Sequence, residues 1–271
     1  MTIASTWRWP TPSGLPPLPL VGGVLGLFAL LWLTAPIVEI DFIHLFASIG
    51  KMFHFAHEMF VKPDLSYVPR LLTKMLETIE ITLLGTAIAL VISLPLGVLA
   101  ARNATPHPLV YRFTRDLLSL MRALPELVWA LVFVSAVGLG PLPGVMALAF
   151  VTVGFMSKFF AEAIEVVDQK AVEGVRAHGA GWLQVRLFAM LPQALPDFVG
   201  TVMYILDHNL RAAAILGMVG AGGIGYELVM SMRLFQYNHL LLIALSIYIV
   251  VTALDRSSDR LRSRIIHGRR T

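Results

Sequence analysis

The chain has no cysteine among its 271 residues, which removes disulfide frameworks, thiolate metal sites and cysteine nucleophiles together. Charge is nearly as scarce. Only 14% of residues are Asp, Glu, Lys or Arg, against roughly 25% in an ordinary soluble domain, so much of the folded surface is suited to lipid. Two signatures are also missing: there is no GxxxxGK[ST] phosphate loop and no HExxH helix, which excludes a P-loop ATPase site and a zinc-protease centre of that type in this chain. What fills the sequence is apolar. Hydrophobic residues make up 57%, and the mean hydropathy is +0.76.

A net charge of +4 and a pI near 9.6 could suggest nucleic acid. The basic residues, however, are scattered between apolar runs and gathered in a short tail, a placement that fits membrane topology instead. Gly220, Gly222 and Gly225 in GAGGIG satisfy the GxGxxG dinucleotide pattern. That pattern requires a preceding strand and a later acidic residue, whereas a long apolar helix precedes it here. No nucleotide site is expected.

A bilayer-spanning helix needs about 20 mainly apolar residues, and six runs qualify: 18–38, 76–101, 117–137, 143–165, 194–217 and 238–255. The first is expected to be a retained helix rather than a signal peptide, because its basic start is weak and no small-residue cleavage site follows. Residues 42–60 differ. Phe42, Leu45, Phe46, Ile49, Met52, Phe53, Ala56, Met59 and Phe60 recur at helical spacing, predicting an amphipathic helix in the membrane interface. His44, His54 and His57 are better read as boundary residues of that helix than as metal ligands. The expected sections are 1–75, with the first span and interfacial helix; a core over 76–256 that holds the other five spans and the loop 166–193; and a basic tail over 257–271.

With the N-terminus in the cytoplasm, inside segments hold 13 lysines and arginines and outside segments hold 5. The positive-inside rule therefore places both termini in the cytoplasm. Three basic residues fall within spans, and a charge at mid-helix costs roughly 2.5–3.5 kcal/mol on the insertion scale. Each has a carboxylate at i±4: Arg122 with Glu126, Lys158 with Glu162, and Arg211 with Asp207. That spacing puts each pair on one helix face. Arg211 also has His208 and Asn209 as neighbours, a set of donors that could meet an anionic group crossing the membrane. Just beyond, Gly217, Gly220, Gly222, Gly223 and Gly225 form a candidate gate segment, since glycine permits both unusual backbone angles and close helix approach.

The longest inside loop, 166–193, reads VVDQKAVEGVRAHGAGWLQVRLFAMLPQ. Asp168 predicts a helix N-cap and Gly179 its stop. Ala171, Val172 and Val175 form a small apolar face, and a second helix is expected from about Trp182, with Pro192 and Pro196 at its junction with the next span. This loop resembles the cytoplasmic signature of permease subunits of binding-protein-dependent ABC importers, in which EAA, three residues, G and nine residues precede IxLP. Glu173, Gly174 and Val175 stand at the EAA positions, Gly179 at the glycine, and Leu191 and Pro192 close the motif. Both alanines and the isoleucine are replaced. More narrowly, VEGVRAHGA, MLPQALP, HNLRAAAILGMVGAGGIG and VGLGPLPGVMAL are similar to the permease of phosphonate importers, while VGAGGIG is shared with methionine-type importers.

The resemblance implies an all-α integral membrane protein of six transmembrane helices, like type I ABC importer permeases. It further implies a homodimer with the pore between copies, two ATP-binding subunits that hold the ATP and magnesium, an extracytoplasmic binding protein, and a coupling helix in loop 166–193. The cargo implied is a phosphonate or related phosphorus oxyanion such as phosphite. Two other classes frame this expectation. An ion-driven secondary transporter would use Glu126, Glu162 or Asp207 as a proton site, and a membrane enzyme would need a nucleophile or metal cluster for which the sequence offers no convincing candidate.

Orientation is directly testable. A cysteine introduced at Gln184 should resist an impermeant thiol reagent in intact cells and react once the membrane is opened; labelling from outside would invert the topology.

Overall fold

A computed structural model describes residues 18–34, 42–60 and 64–267. Among them all regular structure is helical, and the chain divides into two units, Met1–His57 and Glu58–Thr271. The first unit contains α1, Leu18–Thr34, and most of α2, Phe42–Phe60. α1 exposes Leu25, Phe28, Leu31 and Trp32. Its 17 residues reach about 25 Å at 1.5 Å per residue, near the lower limit for crossing a bilayer; residues 35–38 of the expected span lie outside the described residues. α2 has the limits that its apolar periodicity predicts.

The second unit runs α3 Val68–Ala100, α4 Pro108–Met121, α5 Glu126–Val137, α6 Pro141–Glu165, α7 Gln169–Ala177 and α8 Trp182–Val185, followed by a π-turn over Arg186–Met190. It continues through α9 Leu191–Leu216, a 3-10 turn over Gly217–Val219, α10 Ile224–Arg233 and α11 Tyr237–His267. Among the described residues four helical stretches are long and apolar enough to cross a membrane, or five if the bent pair α4–α5 counts as one span. α3 starts eight residues before the expected residue 76. A 3-10 turn at Leu65–Tyr67 and Pro69 in the first helical turn initiate it, proline being preset for that position. Asp64 caps the turn by accepting from the Ser66 backbone N–H at 3.0 Å and its hydroxyl at 2.6 Å. These bonds, the hydroxyl's foremost, hold its carboxyl below the ordinary range.

The seam between α3 and α6 organises the unit. α3 buries Thr78, Thr82, Gly85, Thr86, Ala89, Ser93, Gly97 and Ala100, a stripe of small residues that lets two helices approach closely. The threonine hydroxyls remain satisfied inside it: Thr78, Thr82 and Thr86 each donate to the carbonyl four residues earlier, at 2.9, 2.7 and 2.7 Å. Against the stripe, α6 buries Leu148, Thr152, Ser157, Phe160 and Ala161. A Cβ on Gly97 would lie 2.7 Å from the Phe160 Cβ, and one on Gly85 would lie 3.0 Å from Leu148 Cδ2. Phe160 also stacks on Phe198 of α9 at 4.0 Å between centroids.

The expected third span, 117–137, is not one helix. α4 and α5 meet at 84°, with Pro125 extended at φ −57, ψ 148. Proline cannot donate to the preceding turn, and it disfavours helical backbone at Leu124. The Met121 carbonyl at the break accepts instead from Trp129 Nε1 at 3.1 Å. The turn before α6 uses glycines at positive φ, Gly138 at +99 and Gly140 at +136.

Adding one methyl group tests the seam. Gly97→Ala should lower the melting temperature of the detergent-purified chain, by overpacking worth about 1–3 kcal/mol. Gly200→Ala, where a Cβ meets nothing within 4 Å, should leave it unchanged or raise it.

Candidate functional site

The loop 166–193 folds from its buried residues outward. Asp168 caps α7 by accepting from the Lys170 N–H at 2.9 Å, and Gly179 ends the turn at φ +79, where only glycine is free of strain. Val172 is fully buried, with Val185, Ala189 and Met190 in the same core. Gln193 fastens the two arms, accepting from the Asp168 N–H at 3.0 Å and donating to the Ala189 carbonyl at 2.7 Å. Arg186, counted in the sequence only as an inside charge, is 6% exposed. It donates to the carbonyls of Ala104 and Trp182 at 3.0 and 2.9 Å and lies over the Trp182 ring, tying the loop to the turn after α3. What remains outside is Glu173, Gly174 and Gly179, with Val175 half-buried, and the exposed side chains of Leu183, Leu187 and Phe188. Leu191 and Pro192 begin α9, Leu191 half-buried and Pro192 exposed.

Within the membrane bundle, the four polar residues expected on α9 separate into three environments, because consecutive residues point about 100° apart. Asn209, 1% exposed, bridges two helices: its amide donates to Thr86 on α3 at 2.8 Å, and its oxygen accepts from Thr152 on α6 at 3.1 Å. His208 faces α5, its Nε2 lying 3.2 Å from Glu126 Oε1. Arg211 pairs with Asp207 through both guanidinium nitrogens and also reaches Asp255 of α11 at 3.7 Å. Glu126, Thr152, Tyr204, His208, Phe155 and Phe159 are among the residues lining a cavity of about 110 Å³, several times the space one water needs.

Of the three charge pairs expected within spans, two are formed, Arg211 with Asp207 and Lys158 with Glu162 at 3.9 Å. The third is not, because the α4–α5 break lies between Arg122 and Glu126. Sequence spacing also misses Thr86, Thr152 and Asp255, whose partners are distant in the chain, and a buried network at the start of α3. There Glu227, 3% exposed, accepts from the Tyr67 hydroxyl at 2.7 Å and from Arg70 at 3.0 Å.

The glycine segment packs tightly. Gly220, Gly222 and Gly223 have φ of +87, +78 and +74, and a Cβ on Gly217 or Gly225 would meet the backbone at 2.4 or 2.0 Å. Glu77 and Thr78 of α3 accept from the N–H groups of Gly223 and Ile224 at 2.9 and 2.8 Å, capping α10. Gly140 donates to the Gly220 carbonyl at 3.0 Å.

Residues 93–267 match the family of binding-protein-dependent transport system inner membrane components. The chain belongs to that family. As a permease it is 48% identical over 200 residues to the phosphite transport system permease protein PtxC of Stutzerimonas stutzeri, covering 74% of this chain and 73% of the relative. It is 43% identical over 196 residues to the phosphate-import permease protein PhnE of Mycolicibacterium smegmatis, covering 72% of this chain but 37% of that longer protein. In fold it is similar to a chain of the MetNI methionine ABC transporter in an inward-facing conformation, with a TM-score of 0.65 and 22% identity, covering 74% of this chain and 99% of that one. The permease is thus a multi-pass, all-helical membrane subunit of the ABC importer kind.

The Arg211 cluster supplies a test of its own. Arg211→Gln leaves Asp207 and Asp255 facing each other without a cation, so folded protein in the membrane should fall several-fold. Adding Asp207→Asn should recover most of it, as judged by membrane abundance; equal abundance in both variants would show that the pair contributes little.

Proposed function

We propose that the permease forms the translocation pathway of an ATP-driven importer for phosphite, phosphonate or a related phosphorus oxyanion. The observation that carries this reading is the high identity, over most of the chain, with permeases named for phosphite and phosphate import. Two copies enclose the pathway, with residues 76–256 as the translocating core, both termini in the cytoplasm and residues 257–271 as a basic tail. Two partner ATPase subunits bind ATP and magnesium, and an external binding protein delivers the cargo. No covalent chemistry falls to this chain.

Coupling is assigned to the loop. Glu173, Gly174 and Gly179 are exposed on and just after α7, and Leu183, Leu187 and Phe188 are exposed along the following helical arm, so the loop offers apolar side chains together with a carboxylate. Such a surface suits a groove on an ATPase subunit. Val175, Leu191 and Pro192 set the angle at which the hairpin meets α9. The glycine segment from Gly217 to Gly225 and the polar residues of α9, Asp207, His208, Asn209 and Arg211, border the pathway. Among these His208 faces the cavity, and Asn209 holds the helices around it.

The experiment is uptake of radiolabelled phosphite and phosphate into vesicles carrying the permease, its ATPase subunits and the binding protein. Uptake should require internal ATP and survive a protonophore, whereas a proton-driven carrier would show the reverse. Glu173→Lys or Gly179→Leu should cut uptake and cargo-stimulated ATP hydrolysis about tenfold while leaving membrane insertion intact. Wild-type activity in both variants would remove the coupling assignment.

A further inference from the structure

Several basic side chains in the bundle face carboxylates, and the buried Arg186 donates to carbonyls instead. Lys158 faces Glu162, Arg115 faces Glu165, Arg70 faces Glu227, and Arg211 faces both Asp207 and Asp255. Among the described residues no carboxylate pairs with Arg122. Its Nε is buried without a hydrogen-bond partner, and the sequence neighbour that could neutralise it, Glu126, is turned toward His208 beyond the break.

The fold makes room for this cation. Arg122 ends α4 at the α4–α5 break, and its stem lies against the middle of α6, where a Cβ on Gly154 would approach Arg122 Cγ to 2.7 Å. The guanidinium carbon lies 5.1 Å from the centre of the Phe155 ring, and Phe155 also lines the cavity that holds Glu126, His208 and Tyr204. Phe155 and the C-terminal end of α4 each offset part of the charge's desolvation. Neither fills the guanidinium's in-plane donors, which match the oxygens of a phosphorus oxyanion.

We propose that Arg122 is the residue that grips the oxyanion as it passes the middle of the bundle. The assignment rests on the cargo reading above and adds the contact that makes the pathway anion-selective. Arg211, the cation that the sequence favours for this task, already faces two carboxylates and has no net positive charge to offer.

The cysteine-free chain permits a charge-rescue test in the complete importer, with cysteine-free partner subunits. Arg122→Cys should lower phosphite and phosphate uptake about tenfold or more while binding-protein-stimulated ATP hydrolysis continues. Aminoethyl methanethiosulfonate, which returns a positive charge, should recover much of the uptake, and the sulfonatoethyl reagent should not. Wild-type uptake in Arg122→Cys, or equal rescue by both reagents, would overturn the assignment. If that variant does not reach the membrane, Arg122→Lys decides. A several-fold fall in oxyanion taken up per ATP hydrolysed supports gripping by the planar fork, and an unchanged ratio overturns it. A wild-type importer that moves neither oxyanion would instead fail at the cargo reading, and this inference would fall with it.

Discussion

Everything in the second unit depends on how closely α3 and α6 approach. In lipid no water is available to satisfy a stray amide or hydroxyl, so polar groups must find one another across helices. A single asparagine side chain can reach both neighbours only if the helices are nearly in backbone contact. Gly85, Gly97 and the buried Thr86, Ala89 and Ser93 between them create that condition, and Asn209 then joins Thr86 to Thr152. The small side chains of the seam therefore determine where α9 lies, and with it the positions of His208, Tyr204 and the cavity they line.

Local features were legible in the sequence. Asp168 and Gly179 mark the two ends of α7, and the structure places a cap and a positive φ there. The apolar period of 42–60 gives α2 its limits. What escaped were features whose cause is remote or is masked by hydropathy. Leu124 and Pro125 interrupt a run that is apolar on both sides, so a test for length and apolarity passes over an 84° break. The same break undoes the i, i+4 argument for Arg122 and Glu126, since that spacing means proximity only while the helix is continuous.

Asp207, His208, Asn209 and Arg211 show a second limit. Adjacency in sequence suggested one cluster, yet the helix turns them toward α11, α5 and the α3–α6 seam. Their partners lie up to 123 residues away, beyond the reach of any local pattern. The glycines after α9 were legible as unusual backbone and as a place of close approach, and Gly217 and Gly225 do press backbone against backbone, although nothing local said which segments would meet there. Arg186 and Glu227 carried no warning either. Each looks like a solvent-facing charge in sequence and proves to be buried with its donors or acceptors satisfied.

The π-turn at Arg186–Met190 has a mechanical meaning. It takes up the register change ahead of Pro192 without a loop, so helical structure continues from Trp182 to Val219. The 26 residue steps from Trp182 to His208 span roughly 39 Å at 1.5 Å each, more than the hydrocarbon thickness. The hairpin and the cavity wall are therefore two ends of one strut, and a tilt imposed at one end is delivered at the other. The widened turn and Pro196, inside α9, are the compliant points along such a strut, and both sit nearer the hairpin than His208 does. The geometry is that of a stiff pointer on a soft wrist, in which a small rotation beside the hairpin becomes a larger sideways displacement at His208 and the cavity it lines.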